Sequence, residues 1–407
     1  MSNPYSKIFR VRGAKGFAAA GFIARMPMAM APIGIVAMLA QIHGEYWLAG
    51  AVSATYALAN ALFAPQISRV VDRVGQFAVL IPTTIVASIA FGGLMIAASQ
   101  GWPTWTLFVT ALVAAVMPSF PAMIRARWSE LFRGRPELGT AFAFESAADE
   151  LVYITGASLS VGLSVALFPA AGLLASTLML VVGGLFFVIQ RSTEPKPHPA
   201  GAGRGLGRSA FWYRPVQIVT LALVFVGAIF ATAEVSSVAM TEALGQPEAA
   251  SLVIGVYAAG SFVVGLLVGA INRTMALQKQ LLIALVVLAV TAWPLPFANS
   301  VPLLAGVVFL SGVAISPTLM TAFSLIEQRI PETALTEGVT WVMTGAGIGM
   351  ALGAFVSGWM VDTYGAQSGF WVSIVWGALA LFTVLVGQRA LGGTVEPATP
   401  ALNATSA

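Results

Sequence analysis

The chain has 407 residues, 58% of them hydrophobic and only 9% charged, with a formal net charge of +4. Soluble domains carry roughly 25% charged residues, so this composition points to a membrane-embedded protein. There is no Cys and only two His, His43 and His198, which excludes disulfides, thiolate catalysis, cysteine metal sites and HExxH zinc sites.

Twelve long apolar segments are predicted, at about 16–42, 48–67, 77–99, 104–124, 139–167, 169–190, 216–240, 250–270, 280–297, 302–325, 338–361 and 369–388. Each is long enough for the ~20 residues that cross a bilayer as a helix. They are continuous apolar runs, not the alternating strands of a membrane barrel. The first is too long and too poorly flanked for a cleaved signal peptide and reads as a retained helix. It carries Arg25, Pro27 and Pro32, with Met26, Met28 and Met30 as an adaptable surface or plain packing. Pro118 and Pro121 are expected to bend the fourth segment. Glu145, Asp149 and Glu150 lie inside the fifth.

A polar linker at about 191–215 follows the sixth segment, rich in Pro195, Pro197, Pro199, Gly201, Gly203, Gly205 and Gly207. Phe211-Trp212-Tyr213 reads as an interfacial anchor before the seventh segment, which holds Glu234. In the eleventh, Gly345, Gly347, Gly349, Gly353 and Gly358 lack the context of a dinucleotide loop and read as close-packing residues. Residues 391–407 are expected to form a disordered tail. The domains are thus 1–190, a 191–215 linker, 216–390 and this tail.

With the N-terminus placed in the cytoplasm, 19 of the 20 basic residues fall on the inner side of these segments. They include Arg69 and Arg73, the group Arg125, Arg127, Arg133 and Arg135, and Arg329 and Arg389. The positive-inside rule then sets a multi-pass inner (plasma) membrane topology with both termini cytoplasmic. Arg125 and Arg127 are expected to leave the fourth segment and meet lipid headgroups. The basic balance therefore implies membrane lipids as partners and no nucleic acid. Trp47, Trp102, Trp105, Tyr364 and Trp371 fall at the outer ends as an aromatic belt. Arg25 is the one base inside a span, where a charge is costly and usually functional.

The halves read as a parallel repeat offset by about 199 residues. Pro118 matches Pro317, Gly139 matches Gly338, and Asp72-Arg73 falls near Asn272-Arg273. The loop after the second segment reads Ser68-Arg69-Val70-Val71-Asp72-Arg73-Val74-Gly75-Gln76. It resembles the G-x-x-x-D-R-x-G-R-R signature of the major facilitator superfamily, with Ser68 for the first Gly and Gln76-Phe77 for the two bases. The resemblance extends over the whole chain. It implies an all-α integral membrane fold of twelve transmembrane helices in two parallel six-helix halves, with a substrate site between them. It also implies an inner gate at Asp72, Arg73 and Gly75, in which Asp72 faces the start of the eleventh helix near Gly338. A plain turn with solvated charges is the alternative. Arg25-Met26-Pro27, Arg125-Ala126-Arg127-Trp128 and Glu145-Ser146 with Asp149-Glu150 together resemble a subgroup of actinobacterial members mostly labelled as efflux proteins. The family's exporter signature G-x-x-x-G-P-x-x-G-G is only partly matched by Gly156-Ala157-Ser158-Leu159-Ser160.

Glu145 and Asp149 are four residues apart and share a helix face, while Glu150 is turned about 100° from Asp149. Asp149 and Arg25 lie at similar depths, ~15 Å from the inner end, so they can pair. One reading is a static lock between two helices. The other notes that three acids against one base leave surplus carboxylate to bind a proton. Asp149 is then the first coupling candidate and Glu145 the second, followed by Glu150 and Glu234; Glu234 reads equally as a packing acid.

A secondary transporter follows from this pattern. No Walker A loop is present, so protons rather than ATP are the expected energy source. The expectation is a monomeric, cofactor-free exporter of a small amphipathic molecule. Proton-coupled import is the runner-up. A membrane transferase is the rival of another class, and the segments offer it no His, Cys, Lys, D-x-D or G-x-S-x-G.

Overall fold

The computed structural model describes residues 4–44, 46–197, 209–246, 249–271 and 275–392, and among these there is no strand. A short helix, α1 (Pro4–Ile8), precedes the first span, which is two helices, α2 (Ala14–Arg25) and α3 (Pro27–His43). Next come α4 (Tyr46–Val74) and α5 (Gln76–Ser99), and then α6 (Thr104–Ala114) with α7 (Phe120–Phe132) as the fourth span. The helices α8 (Glu137–Ala166) and α9 (Ala171–Ile189) complete the first half. The second half is α10 (Arg214–Ala243), α11 (Ala250–Ala270), α12 (Leu277–Ala292), α13 (Val301–Gly312) with α14 (Ile315–Arg329), α15 (Leu335–Tyr364) and α16 (Ser368–Gly392).

Ten of the twelve spans are long and apolar enough to cross a membrane unaided. The other two are the fourth, which is interrupted, and the fifth, which carries the acidic cluster.

Proline chemistry sets the two breaks that matter. Pro27 has no N–H to continue the α2 ladder, so the first span breaks at Met26, immediately after Arg25. In the fourth span, Pro118 and Pro121 open the helix across residues 115–119 instead of bending it. Two of the freed carbonyls, Ala115 O and Met117 O, accept from Asn60 Nδ2 at 3.0 and 3.3 Å. The helix then restarts and runs to Phe132, eight residues beyond the expected end at 124.

Glycines hold the second half together. Gly345, Gly349 and Gly353 of α15 lie against the carbonyl oxygens of Thr220, Val224 and Ala228 on α10. A Cβ at Gly349 would overlap Val224 O, so only glycine permits this approach. The halves meet mainly where α4 runs against α15 and α8 against α11 and α14.

One end of the bundle collects the described Lys and Arg residues apart from Arg25 and Arg125 and is called the basic end below. At the other end Trp102, Trp105, Tyr364 and Trp371 are exposed, and Phe297 and Trp371 meet edge to face. Residues 198–208 of the expected linker, with His198 and all four of its Gly residues, lie outside the described residues. So do 393–407 of the expected tail, Asn272-Arg273, and the side chain of Trp47.

Candidate functional site

At the break in the first span, Arg25 is buried and aimed at α8. Its Nη1 donates to Asp149 Oδ1 at 2.7 Å, its Nη2 to Glu145, and its Nε to Gly21 O at 3.3 Å. The other Asp149 oxygen, Oδ2, accepts from Arg125 Nη2 at 2.7 Å. Glu145 Oε1 accepts from Trp128 Nε1, also at 2.7 Å. Arg25, Arg125, Glu145 and Asp149 therefore form a closed network of two cations and two anions, with both carboxylates bonded at both oxygens.

This corrects the expectation that Arg125 and Arg127 face lipid headgroups. Because α7 continues to Phe132, both arginines lie on helical turns inside the protein and are fully buried. The Arg125 guanidinium also lies 3.9 Å over the ring of Phe323 on α14, in the opposite half. Arg127 donates to Gln76 Oε1 (2.7 Å), Gln190 O (2.8 Å) and Phe187 O (3.1 Å). Gln76, which stands where the signature has a base, is thus a buried acceptor for a base from another helix. The count of three acids against one base also changes: two acids meet two bases, and Glu150 is left over.

Glu150 points away from this network, across the boundary between the halves. Its Oε1 accepts from Ser261 Oγ of α11 at 2.6 Å. Glu234 of α10 is close enough for its charge to act on Glu150. Among the described residues, Glu234 has no hydrogen bond or ion pair. Tyr257, four residues before Ser261, is buried with its hydroxyl unpartnered, and it interacts electrostatically with both acids. Counted along their helices, Glu150 lies ~20 Å and Glu234 ~30 Å from the basic end.

At the basic end, Asp72 caps α15. Its two carboxylate oxygens accept from Thr336 N at 3.1 Å and Glu337 N at 2.9 Å, the unsatisfied donors of a helix N-terminus. Ser68, in the place of the signature's first Gly, meets Thr340 Oγ1 at 2.8 Å. Arg69 Nε lies 3.8 Å from Glu337. Gly75 has φ 93°, and a Cβ there would press on Glu194, which accepts from Phe77 N at 2.8 Å. Arg73 is half-buried at the end of α4 and makes no hydrogen bond or ion pair among the described residues. Further links cross between the halves: Arg133 to Glu327 (3.2 Å) and Glu332 (2.9 Å), Thr140 to Gly269 O (2.9 Å), and Tyr5 to Leu266 O (2.6 Å).

The sequence pattern of the Major Facilitator Superfamily matches residues 17–237 and 219–405. The chain belongs to that superfamily. Members of the superfamily are transporters rather than enzymes, and the twelve-helix, two-half fold described above is theirs. A bacterial homologue of the iron transporter ferroportin in its outward-facing state is similar, with a TM-score of 0.73 and 16% identity over 93% of this chain and 100% of that one. The human organic anion transporter MFSD10 (TETRAN) gives 0.68 and 14% over 92% and 99%. The E. coli fucose:proton symporter gives 0.64 and 14% over 91% and 98%. At these identities the superfamily's fold is what is shared. No curated protein matches the sequence.

Proposed function

We propose that this chain is a proton-coupled secondary transporter that exports a small amphipathic organic molecule across the cytoplasmic membrane by alternating access. One observation carries the reading: the halves are latched at the basic end, while Glu150 reaches across their boundary to Ser261 with no cationic partner among the described residues. The basic end is then the cytoplasmic end, as the positive-inside rule requires, with both termini on that side. The halves are 1–190 and 216–390, joined by 191–215 and followed by the 391–407 tail, and the chain works as a monomer in lipid. Asp72, Arg73 and Gly75 form the inner gate. Glu150 is the leading proton carrier and Glu234 the second. Asp149 and Glu145, bonded to Arg25, Arg125 and Trp128, fix the first and fourth spans to the fifth. The likeness to actinobacterial members labelled as efflux proteins supports the outward direction.

One proton moved across 100 mV supplies ~2.3 kcal/mol, enough for roughly a fiftyfold substrate gradient. The test is transport by the purified chain in proteoliposomes, screened over cationic, neutral and anionic amphipathic compounds under an imposed pH gradient. Export by proton exchange predicts accumulation in the acidic compartment that collapses with a protonophore. Accumulation in the opposite sense would mean import. Flux indifferent to the protonophore would contradict proton coupling.

A further inference from the structure

The segment ahead of the first span is anchored on one half and bonded to the other. It consists of α1 (Pro4–Ile8) and Phe9. Ile8 is fully buried, and α1 packs along α8. The Phe9 ring meets Phe144 of α8 edge to face at 5.0 Å and Trp128 of α7 at 6.0 Å. Aromatic and aliphatic packing of this kind fixes the segment to the first half. Tyr5 crosses to the second half. Its hydroxyl donates to Leu266 O of α11 at 2.6 Å. Burial pushes the Tyr5 hydroxyl up to about 12, so it keeps its proton and remains a donor through the physiological range.

The same end of α11 receives a second bond from the first half. Three residues after Leu266, Gly269 O accepts from Thr140 Oγ1 of α8 at 2.9 Å. The last carbonyls of a helix lack donors from their own helix, and here the opposite half supplies one. A Cβ at Gly269 would run into Ala143 Cβ and lie 2.9 Å from Tyr5 Oη. Only glycine lets α11, α8 and α1 meet at this point. Beside it lies a cavity of about 1110 Å³, lined by Lys7, Thr140, Gly269 and Ser324 among others. One side of the segment thus borders open space.

We propose that residues 4–9 are a strap that holds the inner ends of α8 and α11 together, and that Tyr5 lets go of Leu266 O when the protein opens at the basic end. The strap is a closure separate from the cap that Asp72 places on α15. Asp72 joins α4 to α15, whereas Tyr5 joins α1, and through it α8, to α11. The inference rests on alternating access for its two states and is indifferent to substrate, direction and coupling. Ile8 and Phe9 stay on the first half, so the strap moves with α8 and only the Tyr5 bond has to break. One hydrogen bond biases such an equilibrium about two- to tenfold, small enough to be broken in every cycle.

The experiment reads this seam directly. Ala143, Ser146 and Glu150 follow one another along the face of α8 that meets α11, with Ala143 against Gly269 and Glu150 bonded to Ser261. Ser146 is fully buried and its hydroxyl makes no hydrogen bond among the described residues. Ser146→Cys, nearly isosteric, gives this Cys-free chain a single reporter. The Glu150–Ser261 contact covers it from the far end, so the introduced thiol reacts when the inner ends part. Its labelling by a soluble maleimide is followed in the full chain in lipid nanodiscs, with no substrate present. Tyr5→Phe removes only the hydroxyl and should speed labelling about two- to tenfold. Ile8→Asn, which frees the anchor, should speed it at least as much, and adding Tyr5→Phe to it should change nothing further. Adding Tyr5→Phe to Asp72→Asn should instead multiply the two effects. The Tyr5→Phe comparison decides alone where Ile8→Asn does not fold. Unchanged labelling in Tyr5→Phe, or a Tyr5→Phe effect that persists in full on Ile8→Asn, overturns the strap. Alternating access stands in that case if Asp72→Asn still speeds labelling. No labelling in any variant, Asp72→Asn included, would overturn both.

Discussion

Replacing Arg125 by Met breaks a balanced charge network. Arg125 is fully buried and holds one oxygen of Asp149 at 2.7 Å, while Arg25 holds the other at 2.7 Å. With Glu145 also bonded to Arg25, the four groups sum to zero charge. Arg125→Met leaves a net charge of −1 and an Asp149 oxygen without a partner. Removing one side of a buried pair costs ~3–5 kcal/mol. Adding Asp149→Asn restores neutrality, keeps the Arg25–Glu145 pair in place and lets the new amide oxygen accept from Arg25. An uncompensated charge at a span centre costs ~2.5–3.5 kcal/mol on insertion scales, so the double change should recover about that much. Arg25→Met with Asp149→Asn is the contrasting case. It also sums to zero, but Arg125 then has no carboxylate in contact and Glu145 keeps only Trp128. It should recover little over Arg25→Met alone. The assay is the fraction of monodisperse protein surviving a series of temperatures in detergent, read by size exclusion. The expected order is wild type, then the Arg125 double variant, then Arg125→Met, with the Arg25 double variant among the least stable. Equal rescue by both double variants, or an Arg125→Met protein as stable as wild type, would refute the network.

Asp72→Asn should preserve folding but loosen the latch. Contacts of a charge with a helix terminus are worth up to ~2 kcal/mol when partly buried, so opening at the basic end should rise several-fold to about thirtyfold, measured by thiol labelling of a Cys introduced there. Gly349→Leu should abolish assembly of α10 against α15 because its side chain would enter Val224 O, whereas Gly347→Ala, with open space around it, should be silent; yield of folded protein separates the two. In this chain without native Cys, Cys at Gly101 or Ser300 should react with an impermeant reagent outside intact cells, and Cys at Gly134 should not; the opposite pattern reverses the topology.

Features that repeat along the chain are legible in the sequence. Span length and the placement of bases depend on local composition, and they give the twelve helices. Depth along a helix is also a local quantity: it places Arg25 level with Asp149, and the side chains lie 2.7 Å apart. The direction in which a side chain points from its neighbour's helix is not local. Arg125 and Arg127 read as loop residues because an apolar count stops at their charges, although α7 runs on to Phe132. Extending the helix one turn would have put Arg125 and Trp128 on the face of Asp149 and Glu145. The partners Ser261 and Glu337 lie more than 100 residues from the acids they meet, and nothing in their own segments marks them. Gln76 was legible only as a departure from a signature, while in the fold it is the acceptor that Arg127 needs.

The central claim is that Glu150 carries the proton that drives transport. The most direct measurement is proton movement into proteoliposomes loaded with a pH-sensitive dye, evoked by a transported compound, for the wild type and Glu150→Gln. Alongside it, exchange of labelled for unlabelled compound is followed with no pH gradient. The account predicts that wild type moves protons with each substrate, and that Glu150→Gln still exchanges substrate while evoking no proton movement and no accumulation. Proton-driven accumulation by Glu150→Gln at the wild-type level would contradict it.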